Sequence, residues 1–154
     1  MTQRMNYAAA APGGIKALGA VYGYVAQSGL PAALIELVYL RISQINGCAY
    51  CIDMHSRDLL KAGLPVDKLV LVPAWDEAGP LFSDREKAAL RWAEAVTRVS
   101  DTQVPDEAYA AARAAFSEKE LADLTIAIGL MNAYNRLAIS FRVPPLAAAS
   151  AAAA

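Results

Sequence analysis

The chain has 154 residues, of which 56% are apolar, and its 14 basic and 15 acidic residues leave a formal net charge of -1. This length allows one domain with a buried core and is too short to expect two. The balanced charge, without a dense cluster of Lys or Arg, disfavours nucleic acid as a partner. We expect a single domain over residues 1–145, followed by an alanine-rich tail over residues 146–154 that frays or is disordered.

Apolar residues recur at spacings of three and four along the chain, and no stretch alternates strictly. This pattern predicts an all-α protein. Pro31 suits the first turn of a helix, and Asn46 with Gly47 supplies the left-handed stop expected at a helix end. A further short helix is predicted over residues 66–72, inside a proline-containing loop. The six main predicted helices cover residues 15–27, 31–45, 48–62, 84–98, 105–115 and 118–142.

Two of these helix starts carry the pattern of a capping box. Ser83 is followed three residues later by Glu86, and Ser117 is followed by Glu120. In this arrangement the serine oxygen accepts a hydrogen bond from the third helical N–H, and the glutamate bonds back to the serine N–H. The sequence therefore marks the beginnings of two helices at Ser83 and Ser117.

The expected compartment is the cytoplasm. The longest apolar stretch, from Leu124 to Phe141, contains Asn135 and Arg136 and is therefore interpreted as a buried helix and not a membrane span. An early alanine run is interrupted at once by Pro12, which argues against a signal peptide. The two cysteines are too few for the disulfide framework of a small secreted protein.

Most of the chemistry is concentrated between residues 45 and 55, which hold both cysteines and the only histidine. Cys48, Cys51 and His55 are spaced by three and four residues, so they share one helix face. A helix start favours a thiolate over a thiol. Cys48 lies closest to that start, whereas Cys51 alone has His55 one turn away, so the spacing leaves open which sulfur attacks first.

Glu36 is the only charged residue between residues 32 and 40. Its carboxylate either faces water, in which case it has no special meaning, or lies buried. A buried carboxylate would be suited to accept and return protons near neutral pH. Spacing alone does not decide between these two interpretations.

The pattern of Glu36, eleven intervening residues and Cys48-x-x-Cys51-x-x-x-His55 resembles the active-site signature of the AhpD-like alkylhydroperoxidases, within the carboxymuconolactone decarboxylase superfamily. The resemblance extends from about residue 30 to 143. The flanking stretches that also resemble this family are residues 40–47, 52–55 and 132–136.

The resemblance implies an AhpD-like helical bundle in a homo-oligomer, commonly a trimer or hexamer, that reduces hydroperoxides without a cofactor or bound metal. Cys51 would be the peroxidatic sulfur, Cys48 the resolving sulfur, and Glu36 and His55 the proton relay. An external dithiol, such as a lipoyl group or a thioredoxin-like protein, would reopen the disulfide. One position departs from the founding enzymes, because Tyr50 occupies the place of a second relay histidine, and a phenol accepts protons poorly at neutral pH.

The same residues allow other interpretations. The dithiol could serve a general thiol–disulfide oxidoreductase or a redox-sensing oligomeric module. Cys48, Cys51, His55 and Glu36 could instead ligate zinc, although structural zinc sites usually place cysteines in a knuckle and not along a helix. The two cysteines could also be packing residues. The decarboxylases of the superfamily are disfavoured, because they resemble the fold but lack the paired cysteines.

Overall fold

The computed structural model describes the backbone of residues 2–151 and the side chains of residues 2–148. This part of the chain contains helices, turns and loops but no β-strand, which confirms the all-α prediction. Two single turns of 3₁₀ helix lie at Val72–Ala74 and Gly79–Leu81. The α-helices are α1 (Tyr7–Ala10), α2 (Pro12–Ala26), α3 (Ala32–Asn46), α4 (Ala49–Lys61), α5 (Val66–Val70), α6 (Asp84–Thr97), α7 (Val99–Thr102), α8 (Asp106–Ala115), α9 (Glu118–Phe141) and α10 (Leu146–Ala151).

The six main predicted helices correspond to α2, α3, α4, α6, α8 and α9, and every end lies within three residues of its predicted position. The short helix predicted over residues 66–72 is α5. The helices α1, α7 and α10 were not predicted. Helix α10 lies in the alanine-rich tail that we expected to fray, and residues 152–154 of that tail lie outside the described residues.

Both predicted capping boxes form. Ser83 accepts a hydrogen bond from the N–H of Glu86, whose carboxylate accepts one from the N–H of Ser83. Ser117 and Glu120 make the same reciprocal pair at the start of α9. These contacts satisfy N–H groups that have no partner inside the helix.

Helix α3 lies at the centre of the domain, in contact with α4, α6 and α9. On one side Val38 packs in the main core with Leu124 and Ile128 of α9, and all three side chains are fully buried. On another side Leu40 packs with Leu59 of α4 in a second cluster. Apolar packing on both sides holds α3 in place, and with it the carboxylate of Glu36.

The apolar helix α9 is buried within the subunit, as the sequence predicts. Leu124, Ile128 and Asn135 are inaccessible to solvent. In the described part of the chain, no helix combines the length and hydropathy that a membrane crossing requires.

Candidate active site

The junction between α3 and α4 positions the two cysteines. Gly47 ends α3 in the left-handed conformation, with φ of 70°, a conformation that glycine adopts without steric cost. Cys48 then caps α4, and its sulfur accepts a hydrogen bond from the N–H of Cys51 at 3.4 Å. The two sulfurs lie 2.6 Å apart and form a hydrogen bond. Both cysteines are free and at most 2% exposed.

The shared hydrogen bond has opposite effects on the two thiols. The bond from the Cys51 thiol lowers the pKa of Cys48 to about 7, and the N–H of Cys51 assists. The same bond and burial raise the pKa of the Cys51 thiol. These opposite pKa shifts favour the thiolate on Cys48, at the helix start, over a thiolate on the cysteine next to His55. The sequence indicated only that the helix start and the neighbouring His55 both favour a thiolate.

Side-chain amides of α3 and α9 form a hydrogen-bond network beside the sulfurs. Asn46 donates to the side-chain oxygen of Asn135 at 2.9 Å, which leaves the NH₂ group of Asn135 as the donor on its other side. That group donates to Ser43 at 3.1 Å and to the sulfur of Met131 at 3.4 Å, and as a donor beside Cys48 and Cys51 it lowers the pKa of both thiols. Asn135 thus joins α3, α4 and α9 at the dithiol.

Glu36 and His55 form a direct pair. The Nδ1 atom of His55 lies 2.8 Å from the Oε2 atom of Glu36, and their side chains are 3% and 21% exposed. The ring of Tyr39 packs against the imidazole at 5.4 Å. The Nε2 atom of His55 is buried and has no hydrogen-bond partner among the described residues. Because Glu36 holds Nδ1, Nε2 is the nitrogen available to a reacting group.

A cavity of about 300 Å³ opens beside this pair. Cys51 lines the cavity, whereas Cys48 lies behind it against Ala138. The sulfur that faces the cavity is therefore not the sulfur with the lower pKa. The residues that line the cavity are Cys51, Glu36, His55, Asp58, the tyrosines Tyr7, Tyr22, Tyr50 and Tyr134, the methionines Met54 and Met131, and Ala138.

The amino-terminal segment contributes one wall of this cavity. Tyr7 stacks on Phe141 of α9 with ring centroids 5.6 Å apart. Arg4 donates through its backbone N–H to the carbonyl of Phe141 and through Nη1 to the carbonyl of Ser140. These contacts hold residues 4–7 against the end of α9.

The zinc ligand set considered from the sequence is not assembled. Within the described part of the chain, candidate ligand atoms of Glu36, His55 and Asp58 lie within 4.8 Å of one another, but neither sulfur belongs to this group.

The four residues singled out from the sequence come together in one region: Glu36 pairs with His55, and Cys51 connects the cavity to Cys48. Sequence reasoning missed Asp58 as a wall of the cavity, although it lies one helical turn after His55, where a neighbour on the same face is expected. The tyrosines on α1, α2 and α9 gave no sequence signal, because only helix packing brings them together.

Comparison with known proteins decides the family. The model of the carboxymuconolactone decarboxylase family matches residues 12–95, a range that includes all four residues of the site. An uncharacterised protein of Bacillus subtilis, YdfG, is 38% identical over 140 residues, which cover 91% of this chain and 95% of YdfG. The chain belongs to the carboxymuconolactone decarboxylase family.

Solved structures place this family member among AhpD-like folds. A protein of unknown function from Agrobacterium tumefaciens, named as a candidate AhpD antioxidant defence protein, superposes with a TM-score of 0.90 at 42% identity, covering 94% of this chain and 98% of the other. A peroxidase-related protein from Ralstonia eutropha, described as an alkylhydroperoxidase AhpD core, superposes with a TM-score of 0.78 at 22% identity, covering 90% and 74%. The second likeness shows the fold alone.

Proposed function

We propose that the protein is a peroxidase that reduces hydroperoxides through a dithiol–disulfide cycle of Cys51 and Cys48. The observation that supports this most strongly is the cavity in which Cys51 lies beside the Glu36–His55 pair. A nucleophile, a proton carrier and space for a small substrate then occur in one place, which is the combination that peroxide reduction requires. The AhpD-like relatives support the same chemistry.

The cycle begins with ionisation of the dithiol. The pair gives up one proton to His55, whose Nδ1 atom is held by Glu36, and the two sulfurs share the other proton through their hydrogen bond. In this proposal the negative charge rests first on Cys48. Transfer of the shared proton from Cys51 to Cys48 moves the negative charge to the Cys51 sulfur, which faces the cavity. The hydrogen bond between the sulfurs thus links the low pKa of Cys48 to the position of Cys51 at the cavity.

In the oxidising step, the Cys51 thiolate attacks the outer oxygen of the hydroperoxide and the O–O bond breaks. Sulfenic acid forms on Cys51, and the alkoxide leaves as an alcohol after taking the proton from His55. The Cys48 sulfur then attacks Cys51, the S–O bond breaks, and hydroxide leaves as water with the Cys48 proton. One hydroperoxide and two thiols become one alcohol, one water and one disulfide. Tyr50 supplies an O–H donor to the departing oxygen in place of the second relay histidine.

An external dithiol must reopen the disulfide, and we propose a slender one such as a lipoyl group. Both sulfurs are at most 2% exposed, so a reductant has to enter through the cavity. A thioredoxin-like protein would have to move part of the wall. The same burial favours a small substrate over the protein substrates of a general thiol–disulfide oxidoreductase.

This proposal also includes assembly as a trimer or hexamer and location in the cytoplasm, where thiols stay reduced.

The test counts thiols and locates the sulfenic acid. Reduced wild-type protein receives one equivalent of cumene hydroperoxide without a reductant, and its free thiols are counted after denaturation. We expect the loss of two thiols per subunit. Treatment with the parent alcohol is the control and should leave both thiols free. If the hydroperoxide also leaves both thiols free, the peroxidase proposal is rejected.

The matched variants Cys48→Ser and Cys51→Ser assign the roles. A sulfenic acid trapped with a dione reagent should appear on Cys51 in Cys48→Ser, because the resolving sulfur is missing. It should not appear in Cys51→Ser. A trapped sulfenic acid on Cys48 in Cys51→Ser alone would reverse the two roles.

A further inference from the structure

Apart from His55, the charged residues that line the cavity beside Cys51 are all acidic. Its two carboxylates are Glu36 and Asp58, and no Lys or Arg is among the described residues that line it. The carboxylate of Glu36 is engaged with the Nδ1 atom of His55 at 2.8 Å. Asp58 is exposed, and within the described residues no Lys or Arg forms an ion pair with its carboxylate; the His55 ring, within 4.8 Å, already pairs with Glu36. A carboxylate on a ligand would therefore meet like charge without a compensating partner.

The remaining walls are aromatic and apolar. Tyr7, Tyr22, Tyr50 and Tyr134 come from four different helices, so tyrosine side chains line the cavity on several sides. Met54 and Met131 belong to the same lining. Tyrosine rings and methionine sulfurs make favourable contacts with aromatic ligands. A volume of about 300 Å³ lies at the lower end of ligand cavities and suits a single substituted ring.

We propose that this cavity selects uncharged aromatic hydroperoxides and rejects hydroperoxides whose ring carries a carboxylate. The ring lies among the tyrosines, and the O–O group reaches Cys51. Asp58 acts as a specificity-determining residue that repels anionic substrates. This inference rests on the proposed peroxidase function, because that function supplies the reacting group of the ligand.

The test measures binding and does not require any reaction of the sulfurs. The probes are two alcohols that correspond to reaction products: 2-phenyl-2-propanol, which is uncharged, and 4-(2-hydroxypropan-2-yl)benzoate, which adds one para carboxylate. Their dissociation constants for reduced wild-type protein are measured by ligand-observed NMR at neutral pH. We expect the uncharged alcohol to bind and the benzoate to bind about tenfold more weakly or worse, since nearby like charges repel in a partly desolvated site.

Two charge-neutralising variants sharpen the measurement. Asp58→Asn should tighten binding of the benzoate by roughly threefold or more and leave the uncharged alcohol almost unchanged. Glu107→Gln removes the same charge from α8, which does not line the cavity, and should leave both constants unchanged. If the benzoate bound equally more tightly to both variants, the net charge of the protein would explain the effect, and the role of Asp58 would be overturned.

The outcomes separate this inference from the peroxidase proposal. Equal or tighter binding of the benzoate to wild-type protein overturns the charge selectivity, whatever the thiols do. Absence of binding by both alcohols overturns the assignment of the cavity to aromatic ligands. A clear preference for the uncharged alcohol supports the inference even if hydroperoxide fails to oxidise the thiols, a result that would overturn the peroxidase alone.

Discussion

At the scale of single residues, the main feature of the site is that its two sulfurs differ in pKa and in position. Cys48 has the lower pKa because it caps α4 and receives the Cys51 hydrogen bond, while Cys51 lines the cavity. The spacing of Cys48, Cys51 and His55 was enough to predict their shared helix face. It could not assign the charge, because the S···S hydrogen bond and the Asn135 amide depend on how α3, α4 and α9 pack.

The first residue-scale prediction concerns the pH at which the thiolate forms. The ultraviolet absorbance of the thiolate should rise with pH through a midpoint near 7 in the wild type, because the pKa of Cys48 is lowered to about 7. Below that pH both sulfurs are protonated. In Cys51→Ala the thiol donor is lost, so the midpoint should move upward towards the ordinary cysteine value of about 8.5. An unchanged midpoint in Cys51→Ala would contradict the assigned cause.

The second residue-scale prediction concerns the Glu36–His55 pair. Glu36→Gln keeps a similar shape next to His55 but removes the negative charge beside its Nδ1 atom. We expect the second-order rate of sulfenic acid formation to fall by roughly a hundredfold, the lower range for a general acid–base group. Rapid-mixing kinetics in the Cys48→Ser background measures this rate. Glu107→Gln is the control, and equal rates in the two variants would exclude a role for Glu36 in proton transfer.

At the scale of elements, the short junction between α3 and α4 determines the geometry of the dithiol. The Asn46-Gly47 stop was predicted from sequence, since few residues other than glycine tolerate a positive φ, and the structure has Gly47 at 70°. Local signals of this kind also gave both capping boxes. The segment before α2 escaped prediction, because α1 has only four residues and Tyr7 is held by a distant partner, Phe141.

Gly47→Ala tests this junction. A Cβ at this position would meet no atom within 4 Å, so the cost comes from the left-handed backbone alone. We expect a loss of about 1 kcal/mol in the free energy of unfolding. Gly129→Ala is the matched control, because this glycine lies inside α9 and also has open space around its Cβ position. It should stabilise by about 0.5–1 kcal/mol.

Urea unfolding at one protein concentration measures both variants. The two substitutions add the same methyl group, so opposite signs identify the backbone conformation as the cause. If Gly47→Ala were as stable as the wild type, the left-handed junction would be excluded as a source of this cost.

At the scale of the whole molecule, the periodicity of apolar residues was sufficient for the fold class, because apolar positions spaced by three and four residues are typical of helices that pack against one another. The relative placement of the helices was not available from periodicity. Asp58, Tyr22 and Tyr134 become neighbours only after α2, α4 and α9 have packed around the site. For this reason the candidate reacting groups could be predicted from the sequence, whereas the shape and charge of the cavity required the structure.

Assembly is the prediction that belongs to this scale. The AhpD-like resemblance leads us to expect a native mass of three or six times the subunit mass of 16.3 kDa. Light scattering coupled to size-exclusion chromatography measures it, and dilution over a tenfold range checks that the assembly is stable. A native mass equal to one subunit would contradict the expected homo-oligomer.

The central claim is that the Cys51–Cys48 dithiol reduces a hydroperoxide. A single-turnover experiment tests it most directly: reduced protein is mixed with one equivalent of cumene hydroperoxide, without an external reductant, and the alcohol and the protein mass are measured together. We expect one molecule of alcohol for each subunit whose mass has fallen by two hydrogens, as disulfide formation requires. We expect no alcohol from Cys51→Ser. Hydroperoxide recovered intact, or alcohol formed without a disulfide, would contradict the claim.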